Sequence, residues 1–139
     1  MGYGMGMEMI YRGGRTEAVA GDSWTDSPSA AWQYARLDHD GEITITVART
    51  AARVEHVDGI DVVDTDTRDL DELRRVLGSD ADVVAYADTI PGYTVGHTCY
   101  RQMADTAVEV VATVTLPASA DWDDVDEALY TALEDAGLI

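Results

Sequence analysis

Thr106-Ala107-Val108-Glu109-Val110-Val111-Ala112-Thr113-Val114-Thr115-Leu116 is the most β-like stretch of the chain, and its reading decides the fold class. Period-two alternation sets Val108, Val110, Ala112 and Val114 on one face against Glu109, Val111, Thr113 and Thr115 on the other. Directly after it the period changes: Asp121 predicts an N-cap for a helix with Trp122, Val125, Leu129 and Leu133 on one side and Gly137 at its end. A strand leading straight into an amphipathic helix belongs to a mixed fold.

The rest of the chain carries more of both kinds. Glu42 to Arg49 alternates Ile43, Ile45 and Val47 against Thr44 and Thr46, a half-buried strand. Before it, Ser27 predicts a cap and Pro28 a first helical position, with Ala31, Tyr34, Ala35 and Asp38 on one face and Gly41 as the stop. Met9 to Arg12 and Ser23 to Thr25 read as short extended pieces. Arg53 to Val57 and Ile60 to Val63 read as two more, joined through the tight-turn dipeptide Asp58-Gly59. Thr67 predicts a cap for a helix bearing Leu70, Leu73, Val76 and Leu77, closed by Gly78. Asp82 to Ala87 is a further strand, and Thr89 to Met103, with two glycines and a proline, is expected to be a long loop with at most one short element. Helices interrupt the strands irregularly, not in strict βαβα order, so the fold class expected is α+β: one domain over 9–139 with a split, mostly antiparallel β core flanked by helices, behind a flexible leader of residues 1–8.

Composition narrows the function classes. The chain has 139 residues, the size of one ordinary domain, and 46% of them are apolar, enough for a core without metal or disulfide staples. Asp and Glu number 27 against nine cations, all of them Arg, for a formal charge of -18. Such a surface repels phosphate backbones and anionic membranes, which argues against non-specific nucleic-acid binding and membrane association. Nineteen of the acids are Asp and lysine is absent, a composition resembling proteins from salt-loving microbes or their viruses, where salt screens self-repulsion. The acid runs 64–71 and 121–127 are then solvated surface. The first of them resembles a calcium loop only loosely, since Arg68 stands at a ligand position. The single Cys99 excludes an internal disulfide, and His39, His56 and His97 lack zinc-ligand spacing, so no metal is expected. With no apolar run near ~20 residues and no signal-peptide pattern, the expected location is a salt-rich cytosol.

A few residues stand out chemically. Glu109 interrupts an apolar strand: either it lines a site, or its face is wet. Arg12 ends a strand beside Gly13-Gly14, a place from which a guanidinium fork can clamp phosphate or carboxylate next to bare backbone. The third element is Gly21-Asp22-Ser23-Trp24-Thr25-Asp26-Ser27-Pro28, running into the helix with Tyr34.

The order Tyr-Arg-Gly-Gly, then Ser-Trp-Thr entering a helix, then a late Val-Glu-Val-Val strand, resembles the ADP-ribosyltransferase fold, in the branch with an Arg, a Ser-X-Ser/Thr strand and a Glu. The likeness covers residues 9–49 and 105–116. It implies NAD as substrate, with Arg12 and Gly13 at the phosphates, Ser23 and Thr25 at the nicotinamide ribose, Tyr34 stacking on nicotinamide, and Glu109 as the catalytic carboxylate stabilising positive charge on the ribose as the glycosidic bond breaks. Transfer of ADP-ribose to a protein or nucleotide acceptor, or NAD hydrolysis, would follow, as in a toxin-like factor. Ala107 stands where members that modify arginine carry an acid or glutamine, so the acceptor is left open; Gln102 and Asp105 are candidates for positioning it. A domain of this kind that binds NAD without turnover is also allowed, and the alternative from another class is a structural or virion module using Trp24, Trp32 and Trp122 as interface anchors. An RNA-phosphate transferase of the same superfamily is disfavoured by the acidity.

Overall fold

The computed structural model describes residues 8–14, 18–38, 41–57, 69–89 and 96–138, and among them seven strands and three helices form a single small α+β domain. In chain order these are β1 (Met9–Gly13), β2 (Ser23–Thr25), α1 (Pro28–Asp38), β3 (Glu42–Thr50), β4 (Val54–His56), α2 (Leu70–Leu77), β5 (Val83–Thr89), β6 (Gly96–Gln102), β7 (Val108–Pro117) and α3 (Trp122–Asp135). The strands make one continuous sheet in the order β4-β5-β6-β2-β1-β3-β7, where the sequence suggested a split core. All neighbours are antiparallel except β4 and β5.

Local chemistry sets the helix ends. Ser27 caps α1, its Oγ accepting the Ala30 N–H at 3.1 Å. α2 is capped by Asp69, Thr67 lying outside the described residues: the Asp69 carboxylate accepts the N–H groups of Asp71 and Glu72, and Gly78 closes the helix in the left-handed conformation. At α3 Asp121 and Asp124 form a reciprocal capping box. The expected 53–63 pair is represented by β4; Asp58-Gly59 and residues 60–63 lie outside the described residues, as do 1–7 of the expected leader. Glu8 is tied in, donating its N–H to Thr50 Oγ1 and accepting the Tyr100 hydroxyl.

The 89–103 loop expectation is overturned. Residues 96–102 are a central strand, β6, paired with β5 on one side and β2 on the other. Its two most buried side chains are Arg101 and Gln102, at 1% and 0% exposure, so the hydrophobic alternation that marks other strands is missing here. Long-range hydrogen bonds compensate the burial. Arg101 donates to the Gly21 carbonyl and the Tyr86 hydroxyl, and Gln102 accepts from Trp24 Nε1 while donating to the carbonyls of Ala18 and Ala104.

Register fixes the two faces of the sheet. Tyr11, Thr25, Cys99 and Tyr86 lie directly opposite one another across β1, β2, β6 and β5, and so share a face. That face carries all three helices: α1 and α3 over Ile43, Ile45, Val47 and Val114, and α2, through Leu73 and Leu77, over Val84, Tyr86 and Cys99. The other face buries Ile10, Trp24, Ala48, Ala85 and Tyr100 beneath chain segments that include Ala18 and Ala107. Alternation along β7 breaks at a bulge opposite Val47 and Ala48, where Val111 is the extra residue. The single-face grouping expected for Val108, Val110, Ala112 and Val114 is therefore wrong: Val108 belongs with the Ile10 cluster, Ala112 and Val114 with the helical one.

Candidate functional site at the β1–β2–α1 corner

Gly13 is where the corner begins. A Cβ there would stand 2.3 Å from the Ala31 carbonyl oxygen and 2.5 Å from the Ala35 nitrogen, so the bare backbone lets α1 lie directly on β1. The sequence suggested a phosphate contact for this glycine; in the structure it is the helix that fills the space. Arg12, one residue earlier, faces the opposite side of the sheet from Tyr11 by alternation. Its Nη1 donates to the Ser23 carbonyl at 2.8 Å and reaches Ser23 Oγ at 3.4 Å. The first two members of the expected trio therefore meet.

Thr25 and Tyr34 also meet, through a residue that the sequence left in the loop. Thr25 Oγ1 lies 2.9 Å from His97 Nδ1, and the Tyr34 hydroxyl lies 3.2 Å from His97 Nε2. Tyr34 and His97 are also edge to face, ring centroids 5.7 Å apart. Both hydroxyls can donate or accept, so either neutral tautomer of the imidazole, and the protonated ring, finds partners here. Thr25 Oγ1 in addition accepts the Ser27 N–H at 3.1 Å, coupling the ring to the entrance of α1. The signal that could have found His97 is its parity: it is two residues from Cys99, on the same face of β6, which register sets opposite Thr25.

Glu109 does not join them. It pairs with Arg49 at 2.8 Å, with the two side chains 56% and 33% exposed. It stands on the outermost strand, three strand steps from β2, which at ~4.8 Å per step is about 14 Å. Its register partners Arg49 and Met9 place it on the helical face, which Thr25 shares, and opposite to that of Arg12, so it is strand separation that keeps it from Thr25. The wet-face alternative describes its surroundings.

The remaining candidates have structural occupations. Gln102 is buried as described, and Asp105 Oδ1 accepts the Ala20 N–H at 2.8 Å, which pins the 18–22 segment. Cys99 is buried beside the Tyr86 phenol. Burial first, and the Cys99 thiol second, push the Tyr86 hydroxyl far above the usual tyrosine range; burial and then the Glu8 carboxylate do the same to Tyr100. Trp24 is in the core at 2% exposure. Trp32 and Trp122 pack on each other between α1 and α3, 5.7 Å between centroids, with Arg36 over the Trp32 ring. None of the three tryptophans is an exposed anchor. Among the described residues no three His, Cys, Asp or Glu side chains converge as metal ligands would, and no helix is long and apolar enough to cross a membrane.

In comparisons with known proteins, no family model matches the chain, and no curated protein or solved structure is significantly similar to it.

Proposed function

We propose that this chain is a binding domain for a dinucleotide of the nicotinamide type, gripped at the β1–β2–α1 corner, and that it does not cleave the glycosidic bond through Glu109. The observation that carries this reading is the pairing of Arg12 with Ser23 at one corner while Glu109 sits in an ion pair three strands away. In that role Arg12 supplies the cation that an anionic pyrophosphate needs on a chain of charge -18. Tyr34, held by His97, offers an aromatic edge on the helical face, the hydroxyls of Ser23 and Thr25 are suited to ribose, and Arg12, from the other face, reaches this group through the Ser23 carbonyl and hydroxyl.

Cleavage needs more than binding. A carboxylate must stand beside the ribose as positive charge develops, in a site that excludes water. Glu109 is exposed and already neutralised by Arg49, so neither condition is met. NAD is titrated calorimetrically into the folded protein in multimolar KCl. Saturable binding that disappears in Arg12→Ala and persists in Glu109→Ala is expected. Absence of binding, or binding that ignores Arg12, overturns the proposal.

A further inference from the structure

β7 ends the sheet, and its outer edge pairs with no described residue. Natural sheets protect such an edge with charges, proline or bulges, because unpaired N–H and C=O groups recruit other strands. Here the protection stops short. The bulge at Val111 guards one end and Pro117 the other, but between them Ala112-Thr113-Val114-Thr115-Leu116 is regular, rich in β-formers and free of charge, and Val110-Val111 before it is likewise uncharged. In a chain where 26% of residues are charged, this neutral run at an open edge stands apart. Val110, next to this run on β7, is a large hydrophobic left 42% exposed, on the face opposite the helices. Between β7 and α3 lies a groove of about 600 Å³ with Val114, Leu116, Ala128 and Ala132 in its walls and Asp124, Glu127 and Asp135 on its α3 side.

The geometry points to a second copy of this chain on that edge: an antiparallel, two-fold pairing of Ala112–Leu116 with the same stretch of the partner, joining two sheets into one. A two-fold contact uses one patch twice and closes, so it ends at a dimer. The choice of occupant follows from charge. The strand itself has no carboxylate with which to select a basic peptide, the nearby acids Asp124, Glu127 and Asp135 being on α3, and it matches a neutral β-forming strand, which the chain itself supplies. The only acid adjoining the run on β7, Glu109, is neutralised by Arg49 and does not repel its counterpart. The carboxylates of α3 do come toward those of the partner, so the dimer is favoured by salt that screens them. A basic peptide would show the reverse dependence.

Because paired residues share a face, an axis at Thr113, Val114 or Thr115 sets threonines 113 and 115 against each other or against themselves across the interface. Antiparallel neighbours stand ~4.5–5.5 Å apart at Cα, within disulfide reach. Both threonines are exposed, so cysteine is tolerated there, whereas Cys99 is buried. The test is sedimentation of the wild type in multimolar and in low KCl, followed by mild oxidation of the double variant Thr113→Cys, Thr115→Cys beside Ser29→Cys on α1. A dimer in high salt that weakens in low salt, with rapid cross-linking of the double variant alone, is expected. A monomer at every salt concentration, a dimer that tightens in low salt, or cross-linking no faster than in Ser29→Cys overturns the inference.

Discussion

At the β1–β2–α1 corner each polar side chain is held by another: Arg12 by Ser23, His97 by Thr25 and Tyr34 together, and the whole by a glycine with no room for a methyl group. At the β7 edge Glu109 meets Arg49 and water. Both regions contain the residue types that the chain order brings to mind as one site. Order along the chain and convergence in space are therefore separate matters. Here the topology inserts β1 and β3 between β2 and β7, and the ligand-type residues are divided between the two faces of the sheet.

The contrast can be broken most forcefully at Gly13. Gly13→Ala drives a Cβ into the α1 backbone and is expected to destabilise by ~3 kcal/mol, read by denaturant unfolding in multimolar KCl. Thr113→Ala on the exposed β7 edge is expected to stay within about 0.5 kcal/mol. Equal effects would mean that the corner is no more tightly built than the edge.

Thr25→Val keeps the shape but leaves His97 Nδ1 and the Ser27 N–H without their partner, and a loss of ~1–3 kcal/mol is expected in the same assay. A neutral result would show that the imidazole bridge contributes nothing to the corner.

A third effect depends on pH. Tyr86 and Tyr100 are both held neutral in the folded chain, with values raised above the ordinary 10.0. Their contribution is therefore complete below pH 10.0, the unfolded value, and is lost as pH rises above it. Melting temperature should fall on that alkaline side, and less steeply in Tyr86→Phe with Tyr100→Phe than in the wild type. Parallel profiles would remove the phenols as the cause.

The smallest effect is expected at the edge. Glu109→Gln breaks an exposed ion pair and should cost ~0–1 kcal/mol, shrinking further as salt is added. A larger loss would place Glu109 in a tighter environment than its exposure allows.

Much of this fold was legible because local signals and tertiary structure agree. Ser27-Pro28, Gly78 and Asp121 end helices through their own backbone chemistry, and Ile43, Ile45 and Val47 alternate because one face of β3 is buried. β6 was illegible for a physical reason: its buried Arg101 and Gln102 are satisfied by Gly21, Tyr86, Trp24 and Ala18, partners distant in sequence that no local window contains. The loss of β6 also concealed His97, and with it the link between Thr25 and Tyr34. The α2 cap is Asp69, whose carboxylate reaches two N–H groups at once. Period-two arithmetic on β7 failed at Val111, since one bulge residue exchanges the faces of everything beyond it.

Nicotinamide release from NAD reports whether Glu109 acts on a dinucleotide held at the Arg12–Ser23 corner. Wild type, Arg12→Ala and Glu109→Ala are incubated with NAD in multimolar KCl, each shown to be folded, and free nicotinamide is measured. The separation of Glu109 from the Arg12–Ser23 corner predicts no release above the protein-free rate from any of the three. Release by the wild type that vanishes in Glu109→Ala would contradict it, because the carboxylate would then have to reach a ribose held three strands away.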